Sequence, residues 1–591
     1  MSISSDYFDL DRTIKSLLSW EREGGVMCLK HTMSEKGLSF IPLRMRTILV
    51  DWLLSAWKMF KLKQETFYLT CSILDVCLRR LQVDKENLQL VGITSLMLAA
   101  KKSETYPPEI IDYIYILDGA YTVQQLTEME KSIFQDALGF NMELADPIHL
   151  VRLSSGTNGC FFDFEQHTAV RWICLYNCLE PLPFLPSVIA SAANMMVCKM
   201  YIVSFNNIFM VEDKVLEYAM ERLYSLIKRM KKSTLTSITN IKSYGNHGDF
   251  VSKIESLNMA TKIDIKYLKL NYPDFFIQTH EKNIPCKIYK PTDITTCIVL
   301  GEGTFGKVKK ANISNCDYAK KKIDPFFDEN EGYHISFIKE TSLLTNLSSF
   351  NHPNIIKFDG IVFNRNEIIM ELMEGDMNHY YKTNETIIIN SQFRYFLFGE
   401  LLKGLDFIHN HGFIHRDIKP QNILYKGIWN ENTNHNALQI KYCDFGLVKG
   451  KGLCLDAPHS QEICTRWYRP IEMFREGGCS GVSYHTEVDM WSLSCTLYEI
   501  ITGKILFCGD CNNDQVNKIL QLAPFIKDDK HLFDEWEQYQ EFPKINISTK
   551  LSQLLDEQRI QKPFSEIIIK GLTVNPLKRP TAKVLLELID K

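Results

Sequence analysis

The sequence predicts a multidomain protein in which an all-α first half precedes a two-lobed α+β second half. The length of 591 residues is enough for two to four domains. Between residues 40 and 240, apolar residues recur at three- and four-residue spacing, which is typical of packed helices. From residue 294 the pattern alternates around a glycine turn, and helical periodicity returns after about residue 390. The second half should therefore form a small β-rich lobe followed by a helical lobe.

Composition argues against some classes of protein. Hydrophobic residues make up 45% and charged residues 23%, which is an ordinary globular balance. The net charge is −4, and both halves of the chain hold nearly equal numbers of basic and acidic residues. Because nucleic-acid binders usually carry a basic block, nucleic acid is not expected as the main partner, and a transcription module is disfavoured.

The cysteines and the N-terminus favour an intracellular protein, with nucleus and cytoplasm both open. The first residues, MSISSDYFDLDRTIKSLLSW, are acidic and lack the apolar stretch of a secretory signal. No run of about 18 apolar residues is present, so no membrane span is expected. The 17 cysteines are scattered and are expected to be reduced. Cys508 and Cys511 form a CxxC without a second pair, so we interpret them as loop cysteines.

The first half has clear helical segments and the middle of the chain has none. The quoted helices are RMRTILVDWLLSAWKMF (44–60), ETFYLTCSILDVCLRRL (65–81), NLQLVGITSLMLAAKKSE (87–104) and FLPSVIASAANMMVCKMY (184–201). Residues 241–293 contain aromatics and prolines without a sustained helical period. We interpret them as a connector, in part docked on a neighbouring domain.

A glycine-rich turn, GEGTFGKV, opens the second half. Gly301, Gly303 and Gly306 lack side chains, so backbone N–H groups can come close to phosphates. Lys321, in the segment AKKKI (319–323), lies thirteen residues after Val308.

Within AKKKI, alternate residues face opposite sides. Ala319 and Lys321 lie two residues apart and share one face of a strand, beneath the glycine loop. Lys320 and Lys322 would point the other way, as a solvated pair. Glu340, on the helical segment SFIKETSLLTNL, is the expected partner that fixes Lys321 on the α and β phosphates.

Two further motifs complete a set for phosphoryl transfer. In HRDIKPQNIL, Asp417 would accept the proton of a substrate hydroxyl and Lys419 would lie near the transferring group. Asn422 and Asp444, the latter in CDFG, would hold Mg²⁺ against the phosphates. Such chemistry depends on position and charge neutralisation more than on covalent steps.

These motifs in this order resemble a eukaryotic Ser/Thr protein kinase, and residues 294–591 are most similar to cyclin-dependent kinases. FIKETSLL, HPNIIKF, TRWYRPIEM, DMWSLSC and LKRPTA extend the likeness. It implies an α+β bilobal kinase fold that uses ATP and Mg²⁺. It also implies that Met370 is the gatekeeper, that Asp489 braces the catalytic loop and that Glu472 pairs with Arg579. The residues that the resemblance places around the nucleotide are Leu300, Gly301, Glu302, Gly303, Thr304, Phe305, Gly306, Lys307, Val308, Ala319, Lys321, Glu371 and Met373.

The first half resembles A/B-type cyclins. The likeness rests on MRTILVDWL, KLKQETFYL, LQLVGITSLMLAAK, YPPEIIDYIYI and LPSVIASAA. It implies an all-α cyclin fold of two helical repeats. The expected domains are an N-terminal extension (1–39), the cyclin N-terminal fold (40–145), the cyclin C-terminal fold (146–240), the connector (241–293) and the kinase domain (294–591).

The two resemblances together imply an intramolecular cyclin–kinase contact. By likeness, Lys101 and Glu130 are the cyclin residues that hold the kinase, while Lys102 and Ser103 depart from the family. The kinase helix HISFIKE departs too, which suggests that the interface is adapted to this pair. A flexible connector of ~45 residues spans about 35–40 Å, and tethering gives effective concentrations on the order of mM. Docking in cis is therefore expected, with a swapped dimer as the alternative.

Regulation by phosphorylation departs from the family pattern. Phe305 stands where the family has an inhibitory tyrosine, although Thr304 beside it can be modified. Ser460 stands at the activating threonine. The residues that would bind its phosphate are Lys339, Arg416 and Lys449. Because lysine lacks the bidentate fork of arginine, a phosphate at Ser460 should matter less here.

The leading functional hypothesis is a self-activating cyclin-dependent-type Ser/Thr protein kinase acting on protein substrates, with Ser/Thr-Pro sites expected. The alternative is a scaffold or decoy that captures other cyclins and cyclin-dependent kinases. An intact set of Lys321, Glu340, Asp417, Asn422 and Asp444 favours the enzyme, because a scaffold has no need of it.

Overall fold

The computed structural model describes residues in most of both halves of the chain. They are 41–142, 169–170, 173–175, 177–178, 186–201, 211–230, 253–254, 257, 286–303, 306–323, 332–429, 438–447, 449–450, 466–474, 486–523 and 550–589. The predicted order, a helical first half and a mixed second half, is confirmed within them.

The first half is built of helices. They are α1 (Leu43–Met59), α2 (Gln64–Arg80), α3 (Leu88–Ser103), α4 (Ile110–Ile116), α5 (Val123–Ser132), α6 (Pro186–Tyr201) and α7 (Asp213–Met230). The four helices quoted from the sequence are confirmed to within two residues at each end. Helix α3 is buried along almost its whole length, which explains its nearly unbroken apolar sequence. Among the described helices, none is long and apolar enough to cross a membrane.

A buried ion pair ties α1 to its neighbours. The Arg46 guanidinium, 1% exposed, donates to both carboxylate oxygens of Asp75 on α2, at 2.5 and 2.8 Å. It also donates to the carbonyl of Cys178 at 3.0 Å, 132 residues further along the chain. Burial would lower the pKa of Arg46, but the Asp75 carboxylate more than offsets this and raises it. Arg46 therefore fastens the first helical repeat to residues that follow it.

Replacing Arg46 by lysine should destabilise the first half. Lysine keeps the charge but cannot reach Asp75 twice and Cys178 at once, so at least one charge-assisted hydrogen bond is lost, at about 1.5–3 kcal/mol. Chemical unfolding followed by circular dichroism measures the change. Arg44→Lys, at an exposed position of the same helix, is the matched control and should stay within about 0.5 kcal/mol of wild type. Equal stability of the two variants would contradict the role given to Arg46.

The second half begins with a six-stranded sheet. Its strands are β1 (Lys287–Tyr289), β2 (Thr295–Gly303), β3 (Gly306–Ile313), β4 (Cys316–Lys322), β5 (Phe358–Val362) and β6 (Glu367–Glu371). They lie in the order β1-β5-β6-β4-β3-β2, and β1 pairs with β5 in parallel while the other pairs are antiparallel. Helix α8 (Ile335–Ser348) crosses between β4 and β5. Strand β1 belongs to the end of the predicted connector, which is thus docked on the small lobe.

The large lobe is mainly helical, as predicted. Its helices are α9 (Met377–Thr383), α10 (Glu385–Ile389), α11 (Ser391–Asn410), α12 (Glu487–Thr502), α13 (Asn512–Leu522), α14 (Lys550–Glu557), α15 (Phe564–Gly571) and α16 (Ala582–Ile589). Short strands carry the central loops: β7 (Gly375–Asp376), β8 (Phe413–Ile414), β9 (Ile423–Lys426), β10 (Gln439–Tyr442) and β11 (Lys449–Gly450). Helix α12 is buried from Val488 to Ile501 and is followed by Gly503, whose φ of +70° suits glycine.

The hairpin β2–β3 places the glycine loop over β4. Its register pairs Gly301 with Val308 and Gly303 with Gly306. A Cβ at Gly306 would lie 2.2 Å from the carbonyl oxygen of Lys322, and φ there is +141°. The glycine is therefore required for the close approach of β3 to β4.

His352, in the turn before β5, should make stability depend on pH. Its ring stacks on Phe407, with centroids 4.3 Å apart, and burial lowers its pKa from 6.5 to about 4. Between those values the unfolded chain binds a proton that the folded chain does not. Stability should therefore fall as the pH drops from about 6.5 to about 4. His352→Phe, which keeps a stacked ring but cannot titrate, should weaken the dependence of thermal stability on pH across this range and leave the part due to His411, whose pKa burial also lowers. His379→Gln, at an exposed position, should leave the wild-type slope, and an unchanged slope in His352→Phe would refute the assignment.

Candidate active site and the interface behind it

A buried lysine of the small lobe, Lys321 on β4, contacts a carboxylate of the large lobe, Asp444. Lys321 Nζ lies 2.8 Å from both carboxylate oxygens of Glu340 on α8 and 2.9 Å from Oδ1 of Asp444. Lys321 is 7% exposed and Glu340 is 1% exposed. The structure thus brings together three residues that the sequence singled out, from β4, from α8 and from the loop after β10.

The charges of this cluster shift one another's pKa. Burial alone would lower the pKa of Lys321, but the carboxylates of Glu340 and Asp444 reverse the effect and raise it. Burial would raise the pKa of Asp444, yet the Lys321 ammonium lowers it. Burial, and then the nearby charge of Asp444, raise the pKa of Glu340 against the opposing effect of Lys321. Because the Lys321 ammonium lies between the carboxylates of Glu340 and Asp444, Lys321 stays charged and Asp444 stays ionised.

A second cluster surrounds Asp417, which is 1% exposed. Its Oδ2 accepts hydrogen bonds from Lys419 Nζ at 2.7 Å and from Asn422 Nδ2 at 2.8 Å. The Asn422 amide nitrogen also donates to the Asp417 carbonyl at 2.8 Å. The carboxylate is therefore fixed in orientation beside a lysine and an amide.

Asp489 on α12 holds the loop that carries Asp417. Its carboxylate accepts the backbone N–H groups of His415 at 2.7 Å and Arg416 at 2.8 Å, and it contacts His409 Nε2 at 2.9 Å. Burial would raise the pKa of Asp489, but these partners lower it. Arg416 adopts φ +68°, a left-handed conformation that costs energy in a residue with a side chain, and the Asp489 hydrogen bonds stabilise it.

The described members of the predicted nucleotide set lie on β2, β3, β4 and β6 and just after β6. Register pairs Val308 with Lys321, and Lys321 and Ala319 with Ile368 and Met370 of β6, so these side chains share one face. Leu300 and Gly301 are exposed on β2, and Lys307 pairs with Glu302 across the hairpin.

Glu371 and Met373, two predicted nucleotide contacts, lie at the end of β6 and just after it, beside the predicted gatekeeper Met370. Met370 and Met373 are buried. The Glu371 carboxylate accepts from Lys441 Nζ at 2.5 Å and from the Lys357 N–H at 2.7 Å. The Glu371 side chain is therefore held by partners within the protein.

Lys320 corrects one expectation. It was expected to be solvated, on the face of β4 away from Lys321. Instead its Nζ forms an ion pair with Glu367 of β6 at 3.0 Å, and both side chains are largely buried. The partner lies on a neighbouring strand that the spacing of the lysines does not reveal.

Residues of the first half bind the backbone just before α8. Lys101 Nζ lies 2.6 Å from Oε1 of Glu130 and donates to the Tyr333 carbonyl at 2.9 Å. Oε2 of Glu130, which is 0% exposed, accepts the Tyr333 N–H at 3.1 Å. A Cβ at Gly332 would lie 2.0 Å from this oxygen, and φ there is +96°, so a glycine is needed beside Glu130. The two predicted contact residues, Lys101 and Glu130, are therefore brought together, and both bind backbone groups of Tyr333 in the second half.

Three aromatic rings at this contact were not singled out from the sequence. Phe134 packs edge-on against Tyr333 and Phe337, with centroids 5.5 and 6.5 Å apart, and the latter two stack at 5.1 Å. Each is at most 1% exposed. They join the apolar cores of the two halves into one buried cluster. The segment HISFIKE departs from the family pattern and contains Phe337, so it is the sequence feature that could have indicated this aromatic contact.

Two polar contacts fix α8 further along its length. The backbone N–H of Met142 donates to Ser342 Oγ at 2.7 Å, and both residues are buried. Lys339 Nζ donates to the carbonyl of Glu104, the C-cap residue of α3, at 3.2 Å. Lys339 was expected to bind a phosphate, and the structure adds this contact with the first half.

Several of the predicted regulatory residues lie outside the part of the chain that the structure describes. Thr304, Phe305 and Ser460 lie outside the described residues, as does the side chain of Glu302, so these stay predictions. Of the predicted phosphate-binding residues, Lys449 has its side chain outside the described residues, whereas Arg416 is 8% exposed and donates through Nε to the Leu447 carbonyl at 2.6 Å.

The CxxC cysteines are free and exposed, and the Cys511 sulfur caps α13 by accepting the Asp514 N–H at 3.4 Å.

Comparison with known proteins finds a match for each half of the chain. The family model of the protein kinase domain matches residues 295–588, and that of the cyclin N-terminal domain matches residues 17–143. Cyclin-dependent kinase 1 of Encephalitozoon cuniculi is 31% identical over 293 residues, covering 48% of this chain and 91% of that protein. A chain in the crystal structure of the yeast RNA Pol II CTD kinase CTDK-1 complex is 26% identical, with a TM-score of 0.41, and covers 50% of this chain and 91% of that chain. The chain therefore belongs to the protein kinase family, as a cyclin-dependent-kinase-like Ser/Thr kinase joined to a cyclin domain on the same polypeptide.

Proposed function

We propose that this kinase is self-activating: its own cyclin half holds the kinase half in the catalytic arrangement, and the enzyme transfers the γ-phosphate of ATP to Ser/Thr-Pro sites in proteins. The observation that carries the proposal is that two features occur together. Helix α8 is clamped by Lys101, Glu130 and Met142 of the cyclin half, and on the same helix Glu340 pairs with Lys321. An external cyclin is then unnecessary.

The residues around Asp444 suit Mg²⁺ as the cofactor. Asp444 offers an ionised carboxylate, and Asn422 donates through its amide nitrogen to Asp417, which leaves its amide oxygen for a cation. The described residues contain no cluster of three or more His, Cys, Asp or Glu side chains suited to a metal ion. Two protein ligands with phosphate oxygens and water as the others are the usual surroundings of Mg²⁺ in such enzymes. When bound, Mg²⁺ would neutralise charge on the phosphates.

The chain's own residues would carry out the rest of the reaction. Lys321, fixed by Glu340, would bind the α and β phosphates of ATP. Asp417 would orient the substrate hydroxyl and take its proton, because its carboxylate is held rigidly by Asn422 and Lys419. Lys419 would then stabilise negative charge on the transferring group.

Phosphate transfer by the purified full chain, without any added cyclin, tests this function. The assay uses ATP·Mg²⁺ and two peptides that differ only in a Ser-Pro or Ser-Ala step, with the Asp417→Asn variant as the blank. We expect turnover above the blank and a preference for Ser-Pro. Turnover that appears only after adding a separate cyclin would contradict self-activation, and equal use of both peptides would contradict the proline preference.

Dilution of the enzyme separates docking in cis from a swapped dimer. If each chain activates itself, the rate per molecule stays constant as the protein is diluted from micromolar to nanomolar concentrations. If a second chain supplies the cyclin half, the rate per molecule falls on dilution, and sedimentation shows dissociation over the same range.

A further inference from the structure

The end of the connector forms a strand that a kinase lobe bounded at residue 294 would not contain. Strand β1 (Lys287–Tyr289) pairs in parallel with β5, with Lys287 opposite Gly360 and Tyr289 opposite Val362. The Phe363 N–H donates to the Tyr289 carbonyl at 2.8 Å. An open sheet edge presents unpaired backbone groups, and here the chain's own connector covers them.

Residues at the start of β5, Asp359 and Gly360, fit closely against β1. A Cβ at Gly360 would lie 2.2 Å from the carbonyl oxygen of Lys287, so a side chain at residue 360 would displace the strand. The neighbouring Asp359 forms an ion pair with Lys287 at 2.9 Å and accepts a hydrogen bond from the Tyr289 hydroxyl. Tyr289 also packs with Tyr318 against the buried cluster of Ile313, Val362 and Ile369.

Strand β1 is linked to both ends of α8 through β5, the strand on which it pairs. At the N-terminal end, Asn366, in the turn between β5 and β6, accepts the His334 N–H through Oδ1 at 2.9 Å. At the C-terminal end, Phe358, the first residue of β5, donates its N–H to Ser348 Oγ at 3.0 Å.

The effect of β1 cannot come from shortening the connector. On the cyclin side, Ile254 is buried and Lys253 contacts the Tyr201 ring and hydroxyl, so the chain is held at both ends. Roughly 28 residues lie between Leu257 and Cys286, and releasing β1 would lengthen this to about 36, which changes the closure probability less than about twofold. An effect of β1 on activity that is larger than this must therefore come from where β1 lies and not from the length of the connector.

We propose that β1 is a positioning element for the cyclin–kinase interface: by adding a sixth strand to the small-lobe sheet, the connector fixes the corner from which α8 begins and so holds Glu340 against Lys321. Gly360 and Asp359 are then positioning residues. This inference rests on the proposed activation in cis.

The test compares two glycine-to-alanine variants of the full chain. Gly360→Ala places a methyl group against Lys287, whereas Gly399→Ala, in α11, adds a methyl group with nothing within 4 Å. We measure kcat with saturating ATP and peptide, and hydrogen exchange of the Phe363 and Tyr333 amides. For Gly360→Ala we expect exchange to accelerate at both amides and kcat to fall by about tenfold. Gly399→Ala should match wild type in all three readouts.

The readouts separate failure of this inference from failure of the proposed function. Faster exchange at Phe363 alone, with kcat unchanged, would show that β1 merely covers an edge. Unchanged exchange at Phe363 would show that residue 360 tolerates a side chain. Either result overturns the inference. An inactive wild-type chain would instead count against self-activation, while the exchange at Tyr333 would still report on β1. Asp359→Asn, which weakens the same strand without a steric clash, should shift exchange in the same direction if Gly360→Ala fails to fold.

Discussion

Replacing Asp417 by asparagine is expected to lower kcat by about 10²–10⁴-fold, the range over which a positioned general base contributes. The Asp417 carboxylate is buried and held by Lys419 and Asn422, so the substitution keeps the volume and most of the packing. It removes the group proposed to take the proton from the substrate hydroxyl. Steady-state phosphate transfer to the Ser-Pro peptide measures the change, and KM for ATP should move little because Asp417 is not proposed to bind the nucleotide.

Asp556→Asn is the matched control for this prediction. Asp556 lies exposed on α14, so the same chemical change there should leave kcat within about twofold of wild type. Thermal unfolding of both variants excludes loss of fold as the cause. A kcat of Asp417→Asn close to wild type, with the fold intact, would contradict the assignment of Asp417 and favour the scaffold hypothesis.

Replacing Glu130 by glutamine is expected to uncouple the cyclin half from the kinase half. Glu130 is fully buried between Lys101 and the Tyr333 N–H, so losing its charge leaves the Lys101 ammonium without its carboxylate. Breaking a buried ion pair in this way costs about 3–5 kcal/mol, which lowers the docking equilibrium constant by about 10²–10⁴-fold. Because Glu130 lies far along the chain from the catalytic loop, loss of kcat in this variant would report on docking.

Glu128→Gln provides the control on the same helix. Glu128 is exposed on α5, so its neutralisation should leave kcat and docking unchanged. Hydrogen exchange at the Tyr333 amide, which donates to Glu130, measures docking directly. Full kcat in Glu130→Gln together with rapid exchange at Tyr333 would show that the kinase half is active without the cyclin half, and self-activation would be wrong.

Much of the fold and of the candidate site could be predicted because the relevant information is local. The helices of the first half followed from apolar spacing, since one buried face repeats every three to four residues. Ala319 and Lys321 could be placed on one face of a strand from their separation of two, and the register of β3, β4 and β6 agrees. Glu340 could be assigned to Lys321 because the order of motifs is itself a recognisable pattern.

The sequence by itself thus determined the two halves, their order and the residues that meet at the catalytic cluster. The tertiary structure decided the rest: the packing of Phe134 on Tyr333 and Phe337, the hydrogen bond from Met142 to Ser342, the ion pair of Lys320 with Glu367 and the docking of β1 on β5. Each joins segments that are separated along the chain, by 200 residues in the case of Met142 and Ser342. Local propensity and periodicity describe one segment at a time, so a contact that depends on how two segments pack, and in which register, exists only once the chain has folded.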